Sequence, residues 1–508
     1  MKLQKGKVYL VGAGPGDPGL ITVKGLQCIQ QADVIIYDFL AAPQLLKSAA
    51  KDAEIIYVGK KGGDHTLSQG GINALIVKKA QEGLAVTRLK GGDPFIFGRG
   101  GEEAETLVEN DIPFEIVPGV SSAIAAPAYA GIPLTHRTFN STLAFITGHE
   151  DPAKDASRIN WEALAKGIET IVFLMGVKNL PNITRRLVEH GMAPDTPVAL
   201  VQWGTTPRQK TVTGTLRNIV EQVQSAGLSS PAITVVGHVV QLRETLKWFE
   251  TRPLMGKEII VTRAREQASD LVNLLSDLGA QCLECPTIKV VPPDDFAPLD
   301  RAIENIGAYD WLIFTSINGV NFFFERLYAL GKDVRVLHQL KTASIGPATS
   351  GRLLEFGIRS DILPESFRAE SIVAAFSSRN VDRCRILLPR AKEARPILPV
   401  ELRKMGALVD EVAAYRTRAD RENVDQLLTC LEEKSIDLIT FTSSSTVSNF
   451  KSLLPAEKFE ALMAGVTVAV IGPITEETAR KLGFDVHIVA DTFTIEGLCD
   501  AIVRYYTQ

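Results

Sequence analysis

Glycines and carboxylates with ligand-binding spacing follow two predicted strands in the first hundred residues. Residues 14–19 read GPGDPG, which matches the GxGxxG pattern of dinucleotide-binding loops, and Asp38 ends the next predicted strand about 20 residues further on. The position of the motif disfavours dinucleotide binding. The first strand ends at Val11, so the turn and the motif should begin at Gly12, and counting from Gly12 puts Asp17 in the place of the third glycine. Two prolines also remove backbone N–H groups that would hold a pyrophosphate.

A second glycine-rich loop, residues 88–101, reads RLKGGDPFIFGRGG and lies between a predicted strand and a predicted helix. Neighbouring glycines let the backbone approach a ligand closely, and Asp93 among them can receive an amine or a hydroxyl group. An ordinary βα turn is the alternative, but a turn needs only about 2–6 residues. The length and composition of the loop therefore indicate ligand binding.

Alternating strands and helices must position these loops. Strands are predicted at 7–11, 34–37, 54–58 and 85–89, and helices at 24–30, 72–81 and 102–109. This alternation favours an α/β sheet with crossover helices. The residues after 256 alternate in the same way, so the whole chain is predicted to be α/β.

Further motifs follow in a fixed order. They are residues 12–18 (GAGPGDP), 91–101 (GGDPFIFGRGG), 117–123 (VPGVSSA), 131–137 (GIPLTHR) and 147–149 (TGH). Together they resemble uroporphyrinogen-III C-methyltransferase over residues 5–245. The resemblance implies the tetrapyrrole-methylase fold, with S-adenosyl-L-methionine held between two αβ subdomains, 1–118 and 119–250, and S-adenosyl-L-homocysteine as the product. The donor contacts that it implies are Pro15, Gly91, Gly92, Asp93, Ile96, Ser121, Ser122, Met175, Gly204 and Ala232.

Methylation of a pyrrole carbon also requires proton transfer. Asp38 and Lys60 stand at the positions of the family's proposed proton acceptor and donor. From residue type alone, a strand-end aspartate is as consistent with helix capping, and a lysine after glycine with plain solvation. A basic lining is also expected for a substrate with eight carboxylates. Its candidate residues are Arg88, Lys90, Arg99 and Arg137.

The chain from Lys257 to Gln508 repeats itself. Residues 310–316 (DWLIFTS) return as 437–443 (DLITFTS), 344–347 (SIGP) as 470–473 (VIGP), and, more loosely, 261–264 (VTRA) as 388–391 (LPRA). The common offset of 126 or 127 residues predicts a duplicated αβ domain. Two such domains facing each other form a cleft that suits a ligand.

The duplicated half contains no recognisable nucleophile elbow, P-loop or metal-ligand spacing. It carries hydroxyl groups at predicted strand ends instead. These are Thr315-Ser316, Thr349-Ser350, residues 442–446 and Thr475. Such residues commonly cap helices, and several converging helix N-termini would also hold an anion. Both interpretations stay open at this stage.

A diffuse pattern in this half resembles uroporphyrinogen-III synthase over residues 256–508. It comprises residues 261–263, 314–320, 388–391, 414–417 and 471–473. The resemblance implies closure of hydroxymethylbilane with loss of water and inversion of the last ring. It assigns departure of the hydroxyl group to Tyr415 and substrate contacts to Arg263, Thr315 and Thr475. It also implies two lobes, one of residues 256–290 plus 418–508 and one of residues 291–417.

Length and composition favour a large cytoplasmic enzyme. The chain has 508 residues, a net charge of −4, and 45% hydrophobic and 22% charged residues, which disfavours general nucleic-acid binding. It lacks an apolar run of the roughly 18 residues that a membrane helix needs, and its N-terminus has no signal-peptide pattern. Six cysteines are too few for a disulfide framework, and the CxxC of Cys282 and Cys285 is expected to pack in a core rather than bind a metal.

The prediction is a bifunctional tetrapyrrole enzyme, a methyltransferase in residues 1–250 and a synthase in residues 256–508. It would use S-adenosyl-L-methionine and no metal, and convert hydroxymethylbilane through uroporphyrinogen III and precorrin-1 to precorrin-2. One alternative treats the second half as a tetrapyrrole delivery module, and another is a methylase for a later corrin, RNA or protein. The resemblance also implies a homodimer through the first half, where residues 121–130 are rich in small and apolar side chains.

Overall fold

The computed structural model describes residues 3–59, 67–149, 158–262, 265–364, 369–377, 379–394, 396–421 and 424–508. The chain divides into two compact units. The first consists of Met1–Glu258, Leu274–Gln281 and Tyr506–Gln508, and the second of Ile259–Asn273 and Cys282–Tyr505. Both units are α/β, as the sequence predicts. Among the described residues, no helix combines the length and the apolar character that a membrane span requires.

The first sheet of unit one is parallel and has the strand order β3-β2-β4-β1-β5. Its strands are β1 (Val8–Gly12), β2 (Val34–Tyr37), β3 (Glu54–Tyr57), β4 (Val86–Lys90) and β5 (Phe114–Val117). Its helices are α1 (Val23–Gln31), α2 (Gln69–Gln81) and α3 (Gly100–Glu109). The predicted strands agree with these bounds to within one residue. The helices begin up to three residues earlier than predicted, because Ser68 caps α2 and α3 starts at glycine.

Both faces of this sheet are covered, so its central strands are apolar throughout. Val8, Val34 and Val86 pack against α2 and α3 on one face. Residues of the opposite parity, such as Leu89, pack on the α1 side. Because the strands are parallel, the loops after β1, β4 and β5 leave the sheet at one edge, and these are the glycine-rich loops found in the sequence.

The second sheet of unit one has the order β6-β7-β10-β8-β9. Its strands are β6 (Leu143–Thr147), β7 (Thr170–Leu174), β8 (Pro197–Gln202), β9 (Lys210–Thr215) and β10 (Ala232–Val236). The helices of this part are α4 (Ser122–Tyr129), α5 (Trp161–Gly167), α6 (Leu180–Glu189), α7 (Ile219–Ser225) and α8 (Arg243–Leu246). β10 is antiparallel to β7 and β8, so the start of β10 shares a sheet edge with the ends of those two strands.

Unit two contains two further five-stranded sheets. The strands are β11 (Glu258–Val261), β12 (Gln281–Glu284), β13 (Ile288–Val291), β14 (Trp311–Phe314), β15 (Lys341–Ser344), β16 (Arg385–Ala391), β17 (Leu408–Ala419), β18 (Leu438–Phe441), β19 (Thr467–Val470) and β20 (Ile488–Val489). The helices are α9 (Arg265–Asp277), α10 (Ala297–Glu304), α11 (Ile317–Ala329), α12 (Pro347–Glu355), α13 (Ala369–Ser377), α14 (Ile397–Lys404), α15 (Val424–Glu432), α16 (Ser444–Leu453), α17 (Phe459–Met463), α18 (Pro473–Lys481) and α19 (Ile495–Thr507).

The duplication is visible in the order of the strands. One sheet runs β12-β11-β18-β19-β20 and the other β13-β17-β16-β14-β15, so β11-β18-β19 corresponds to β16-β14-β15. Local details repeat as well: Ser316 and Ser443 are the N-caps of α11 and α16, each with φ of −165°. Pro347 and Pro473 each begin a helix after an extended glycine. The repeated phrases are therefore equivalent strand-to-helix junctions, which confirms the predicted duplication.

Candidate functional site

Three loops converge at the carboxyl edge of the first sheet, after β1, β4 and β5. Gly14 N donates to the Gly92 carbonyl at 3.2 Å, and Gly92 N donates back to the Gly14 carbonyl at 2.7 Å. Gly119 N donates to Asp93 Oδ2 at 3.0 Å, which ties the third loop to the second. The structure thus brings together the loops that carry Pro15, Gly91 to Asp93, and Ser121.

Glycine is required where these loops touch. A Cβ on Gly119 would collide with the Gly92 carbonyl and lie 2.7 Å from Gly12 Cα. A Cβ on Gly91 would collide with the side chain of Leu40, two residues after Asp38. Gly92 differs, because a Cβ there would meet only ordinary contacts beyond 3.6 Å, but its φ of +70° disfavours other residues. Gly12 and Gly119 therefore allow close approach of backbone to backbone, and Gly91 allows close approach to Leu40.

Asp93 and Ser121 fix the loop ends, while Ile96 faces solvent. Asp93 Oδ1 accepts from Phe95 N at 2.7 Å, so each of its oxygens has a backbone partner. Ser121 is buried and caps α4, with Oγ accepting from Ala123 N, and Ser122 is the first residue of that helix. Ile96 is 39% exposed. Next to Ile96, Phe95 and Phe97 are exposed as well, which gives an apolar surface beside the polar loop contacts.

Met175, Gly204 and Ala232 lie at the shared edge of the second sheet. Met175 follows β7 with φ of +57° and is 51% exposed, which is unusual for a methionine that merely fills a core. Gly204 follows β8 and packs against Ala126 of α4, where a Cβ would collide. Ala232 begins β10, is buried, and pairs with Gln202.

Asp17, Tyr129 and Thr205 connect the first loop to this second group. Asp17 N donates to Thr205 Oγ1 at 3.0 Å, and Tyr129 donates its hydroxyl hydrogen to Asp17 Oδ2 at 2.6 Å. Burial, with Asp17 as a further cause, raises the pKa of Tyr129. Sequence reasoning missed this contact set, since Asp17 stood out only as a departure from a glycine pattern.

Asp38 lies at the end of β2 beside Arg88. Arg88 NH2 donates to Asp38 Oδ2 at 3.1 Å, and Leu40 N donates to Oδ1 at 3.2 Å. The expected basic lining is wrong for two of its members, because Arg88 and Lys90 are only 2% and 4% exposed. They point into the sheet face under α3, where both form ion pairs with Glu103. Lys60 lies outside the described residues.

Tyr415 in unit two is buried and lies beside a helix start. Its hydroxyl is 2.9 Å from Ser316 Oγ, which also accepts from Gly319 N to cap α11. The ring stacks on Phe322 with centroids 5.7 Å apart. Burial raises the pKa of Tyr415, while the hydrogen bond to Ser316 acts in the opposite direction. Ser316 stood in the sequence only as one capping candidate among several.

The other predicted contacts of this half are more scattered. Thr315 follows the last residue of β14 and precedes Ser316, whose side chain contacts Tyr415. Thr475 is buried in α18, which follows β19 in the other sheet, and no hydrogen bond of the described residues links it to Tyr415. Arg263 lies outside the described residues. Within the described chain no cluster of His, Cys, Asp and Glu has a metal-binding arrangement.

Two family models match the chain. One is described as tetrapyrrole (corrin/porphyrin) methylases and matches residues 7–220, and the other as uroporphyrinogen-III synthase HemD and matches residues 269–500. The porphyrin biosynthesis protein HemD of Ruminiclostridium josui is 40% identical over 502 residues, covering 99% of this chain and 98% of that protein. The chain belongs to this family of methylase–synthase fusions. We call residues 1–250 the methylase half and residues 256–508 the synthase half.

Shorter relatives match the methylase half. The uroporphyrinogen-III C-methyltransferase of Priestia megaterium is 57% identical over 235 residues, covering 46% of this chain and 98% of the relative. The S-adenosyl-L-methionine-dependent uroporphyrinogen III methyltransferase of Methanosarcina barkeri is 56% identical over 241 residues, covering 47% and 94%. The converging loops of the structure lie within residues 7–220, which the methylase family model matches.

Proposed function

We propose that this chain closes hydroxymethylbilane to uroporphyrinogen III, with loss of water and inversion of the last ring. It then transfers two methyl groups from S-adenosyl-L-methionine to that product, giving precorrin-2 by way of precorrin-1. The convergence of the loops after β1, β4 and β5 is the observation that carries the proposal. It supports a donor site at these loops, in a chain whose full length resembles a porphyrin biosynthesis protein.

The loop residues fit an S-adenosyl-L-methionine molecule. Gly91 and Gly92 carry no side chain, and a Cβ on Gly92 would meet only ordinary contacts, so a ligand can approach this stretch of backbone closely. Asp93 retains acceptor capacity for an amine or hydroxyl beyond its two backbone contacts. Exposed Ile96 and Met175 offer apolar contact to the non-polar parts of the donor. Pro15, Ser121, Ser122, Gly204 and Ala232 complete the proposed donor contacts.

Bound donor supplies an electrophilic methyl group on sulfur, and this chain must manage the proton. We assign the proton acceptor to Asp38, because its carboxylate stays partly exposed, at 28%, while Arg88 anchors one oxygen. Each oxygen of the carboxylate has one donor, Arg88 or Leu40, and keeps a further lone pair that can accept a proton from a bound substrate. Lys60 remains our proposal for the proton donor on its position in the sequence alone.

In the synthase half we assign proton donation to the departing hydroxyl group to Tyr415. Burial raises the pKa of Tyr415, so the residue keeps its proton at neutral pH. Ser316 Oγ fixes the direction of the Tyr415 hydroxyl. Folding the linear substrate and orienting its acids is then the larger part of the task. Arg263, Thr315 and Thr475 are proposed to contribute substrate contacts.

We further propose the division of the chain on which these assignments rest. The methylase subdomains are residues 1–118 and 119–250, and the synthase lobes are residues 256–290 plus 418–508 and residues 291–417. The pairing of β13 with β17 supports a first lobe that ends slightly earlier, since β13 starts at Ile288. The enzyme is proposed to work in the cytoplasm on small tetrapyrroles, without a metal and without nucleic-acid or membrane partners.

A homodimer through the methylase half is also proposed. Ile124 on α4 is 50% exposed, and Leu246 and Trp248 are 47% and 46% exposed. Trp248 Nε1 donates to the Ala128 carbonyl, which holds this apolar group against α4. Exposed apolar side chains gathered in this way are typical of an interface.

The proposal is tested by supplying the purified protein with hydroxymethylbilane as its only tetrapyrrole, with and without the methyl donor. Without donor it is expected to yield the type III isomer, and with labelled S-adenosyl-L-methionine a product carrying two labelled methyl groups. Formation of only the symmetric type I isomer would contradict the synthase assignment and favour the delivery-module alternative. Absence of label in the tetrapyrrole would contradict the methyltransferase assignment.

A further inference from the structure

Four charged side chains form a chain of contacts beneath the Asp38 loop. Arg88 and Lys90 lie on the same face of β4, two residues apart, and Glu103 of α3 lies between them. Glu103 Oε1 is 3.3 Å from Arg88 Nε and 2.7 Å from Lys90 Nζ. The Glu103 side chain is fully buried, those of Arg88 and Lys90 are 3% and 6% exposed, and Asp38 at the rim is 28% exposed.

Stability alone does not account for charges at these positions. The rest of this sheet face is an apolar core, which includes Val86 on the same strand and Leu107 on the same helix. Buried ion pairs are often neutral or unfavourable for stability compared with apolar side chains of similar volume. Glu103 is also incompletely matched, because Oε1 accepts three donors whereas Oε2 is buried with no hydrogen-bond partner. Burial and then Arg88 lower the pKa of Lys90, and Glu103 opposes this.

Arg88 is the link between this cluster and the active edge. Its NH1 donates to the carbonyls of Ile36 and Leu89, and its Nε donates to Glu103, so the guanidinium plane is held on two sides. The remaining nitrogen, NH2, donates to Asp38 Oδ2. Because the guanidinium group of Arg88 is rigid and planar, the contact with Glu103 on one side fixes where its other side meets the Asp38 carboxylate.

We propose that Glu103 is a positioning residue for methyl transfer, which fixes Arg88 so that Arg88 holds the Asp38 carboxylate in its productive orientation. The inference rests on the proposed role of Asp38 as proton acceptor. Asp38 is already restrained at Oδ1 by its own turn, so loss of the Arg88 contact frees one oxygen and lets the carboxylate rotate. A misplaced base reduces turnover without reducing the affinity for donor or tetrapyrrole.

The test is a double-mutant cycle on the full-length chain with Glu103→Gln and Asp38→Asn. Glu103→Gln keeps the shape of the side chain and removes its charge. It is expected to lower kcat for methylation by about tenfold to a hundredfold, a part of the ~10²–10⁴ that a positioned base contributes. The KM for the tetrapyrrole and the affinity for S-adenosyl-L-homocysteine are expected to stay unchanged. In the Asp38→Asn background the same substitution is expected to have no further effect on kcat.

Glu105→Gln is the matched control, because Glu105 lies on the same helix but is exposed, and full kcat is expected for it. Equal losses from Glu103→Gln in both backgrounds, or a raised KM with unchanged kcat, would overturn the inference while leaving the role of Asp38 intact. Full activity of Asp38→Asn alone would overturn the proton-acceptor assignment and the inference together. Should Glu103→Gln not fold, Arg88→Lys replaces it in the cycle, since lysine keeps a cation but cannot bridge both carboxylates.

Discussion

Asp38 and Tyr415 differ in burial and in hydrogen-bond partners, and these differences bear on the proton transfer proposed for each. Asp38 is partly exposed, so a substrate can reach its carboxylate, and the buried Arg88 fixes the orientation of that carboxylate. Tyr415 is buried against Phe322 and hydrogen-bonded to Ser316, and burial raises its pKa, which suits a hydroxyl that must keep its proton until it is donated. In the proposed function, each half contributes one residue that handles a proton.

Asp38→Asn is expected to lower the methylation rate by ~10²–10⁴, because the amide cannot accept the proton. Affinity for S-adenosyl-L-homocysteine, measured by calorimetry, is expected to be unchanged, since Asp38 does not contact the donor in this account. Asp52→Asn serves as a control, because Asp52 is exposed on a turn before β3. An Asp38→Asn enzyme that methylates at full rate would remove this residue from the mechanism.

Tyr415→Phe is expected to slow ring closure and to shift the product from isomer III towards isomer I, which forms without the enzyme. Tyr309→Phe is the matched control: it also removes a largely buried hydroxyl, here bonded to Asp410 at 2.7 Å. The control is expected to cost about 1–3 kcal/mol of stability and to leave the isomer ratio unchanged. Equal isomer ratios for both variants, measured by chromatography after oxidation, would contradict the role of Tyr415.

The pH dependence of the synthase rate is expected to reflect the protonation of the Tyr415 hydroxyl group. A raised pKa means that folded Tyr415 stays protonated to higher pH than a free tyrosine. The rate is therefore expected to show no fall caused by this residue through the neutral and mildly alkaline range. The prediction would be contradicted if the rate of the wild type fell near neutral pH and the rate of Tyr415→Phe did not.

At the scale of elements, the proposed donor site depends on how closely three loops approach one another. The contacts are backbone to backbone, between the loops after β1, β4 and β5, and they leave no volume for a methyl group at Gly12 or Gly119. A parallel sheet brings these loops to one edge, and glycine alone lets them meet there.

Gly119→Ala is expected to abolish binding of S-adenosyl-L-homocysteine, because the new methyl group would collide with the Gly92 carbonyl. The strain is expected to cost about 1–3 kcal/mol of stability. Gly101→Ala is the control, since its Cβ would meet nothing within 4 Å. Calorimetry on both variants is the measurement, and wild-type affinity in Gly119→Ala would show that the loops can separate without loss of the site.

The strands and the glycine-rich loops were predictable because they depend on local sequence patterns. The duplication was predictable because the same segments occur twice at one spacing. The positions of Arg88 and Lys90 were not predictable in the same way. Alternation shows only that residues 86, 88 and 90 share a face, whereas the glutamate that makes charges tolerable there comes from a helix 13 residues away. A glutamate in the first turn of a helix is common for electrostatic reasons, so Glu103 carried no signal.

At the scale of the whole molecule, the chain consists of two compact α/β units that correspond closely to two families. Association of copies is expected to use the methylase half. Leu246→Glu is expected to convert a dimer to a monomer in sedimentation, because it puts a charge into the exposed apolar group near α4. Val23→Glu is the control at a separate exposed apolar position, and dissociation of both variants, or of neither, would contradict this interface.

The central claim, that one chain performs both reactions, is tested most directly by one reaction mixture. Hydroxymethylbilane and methyl-labelled S-adenosyl-L-methionine are supplied to the wild-type chain, Asp38→Asn and Tyr415→Phe, and products are separated after oxidation. The account predicts a dimethylated type III product from the wild type, unmethylated isomer III from Asp38→Asn, and mainly type I products from Tyr415→Phe. Type I products in equal proportion from all three proteins would contradict it.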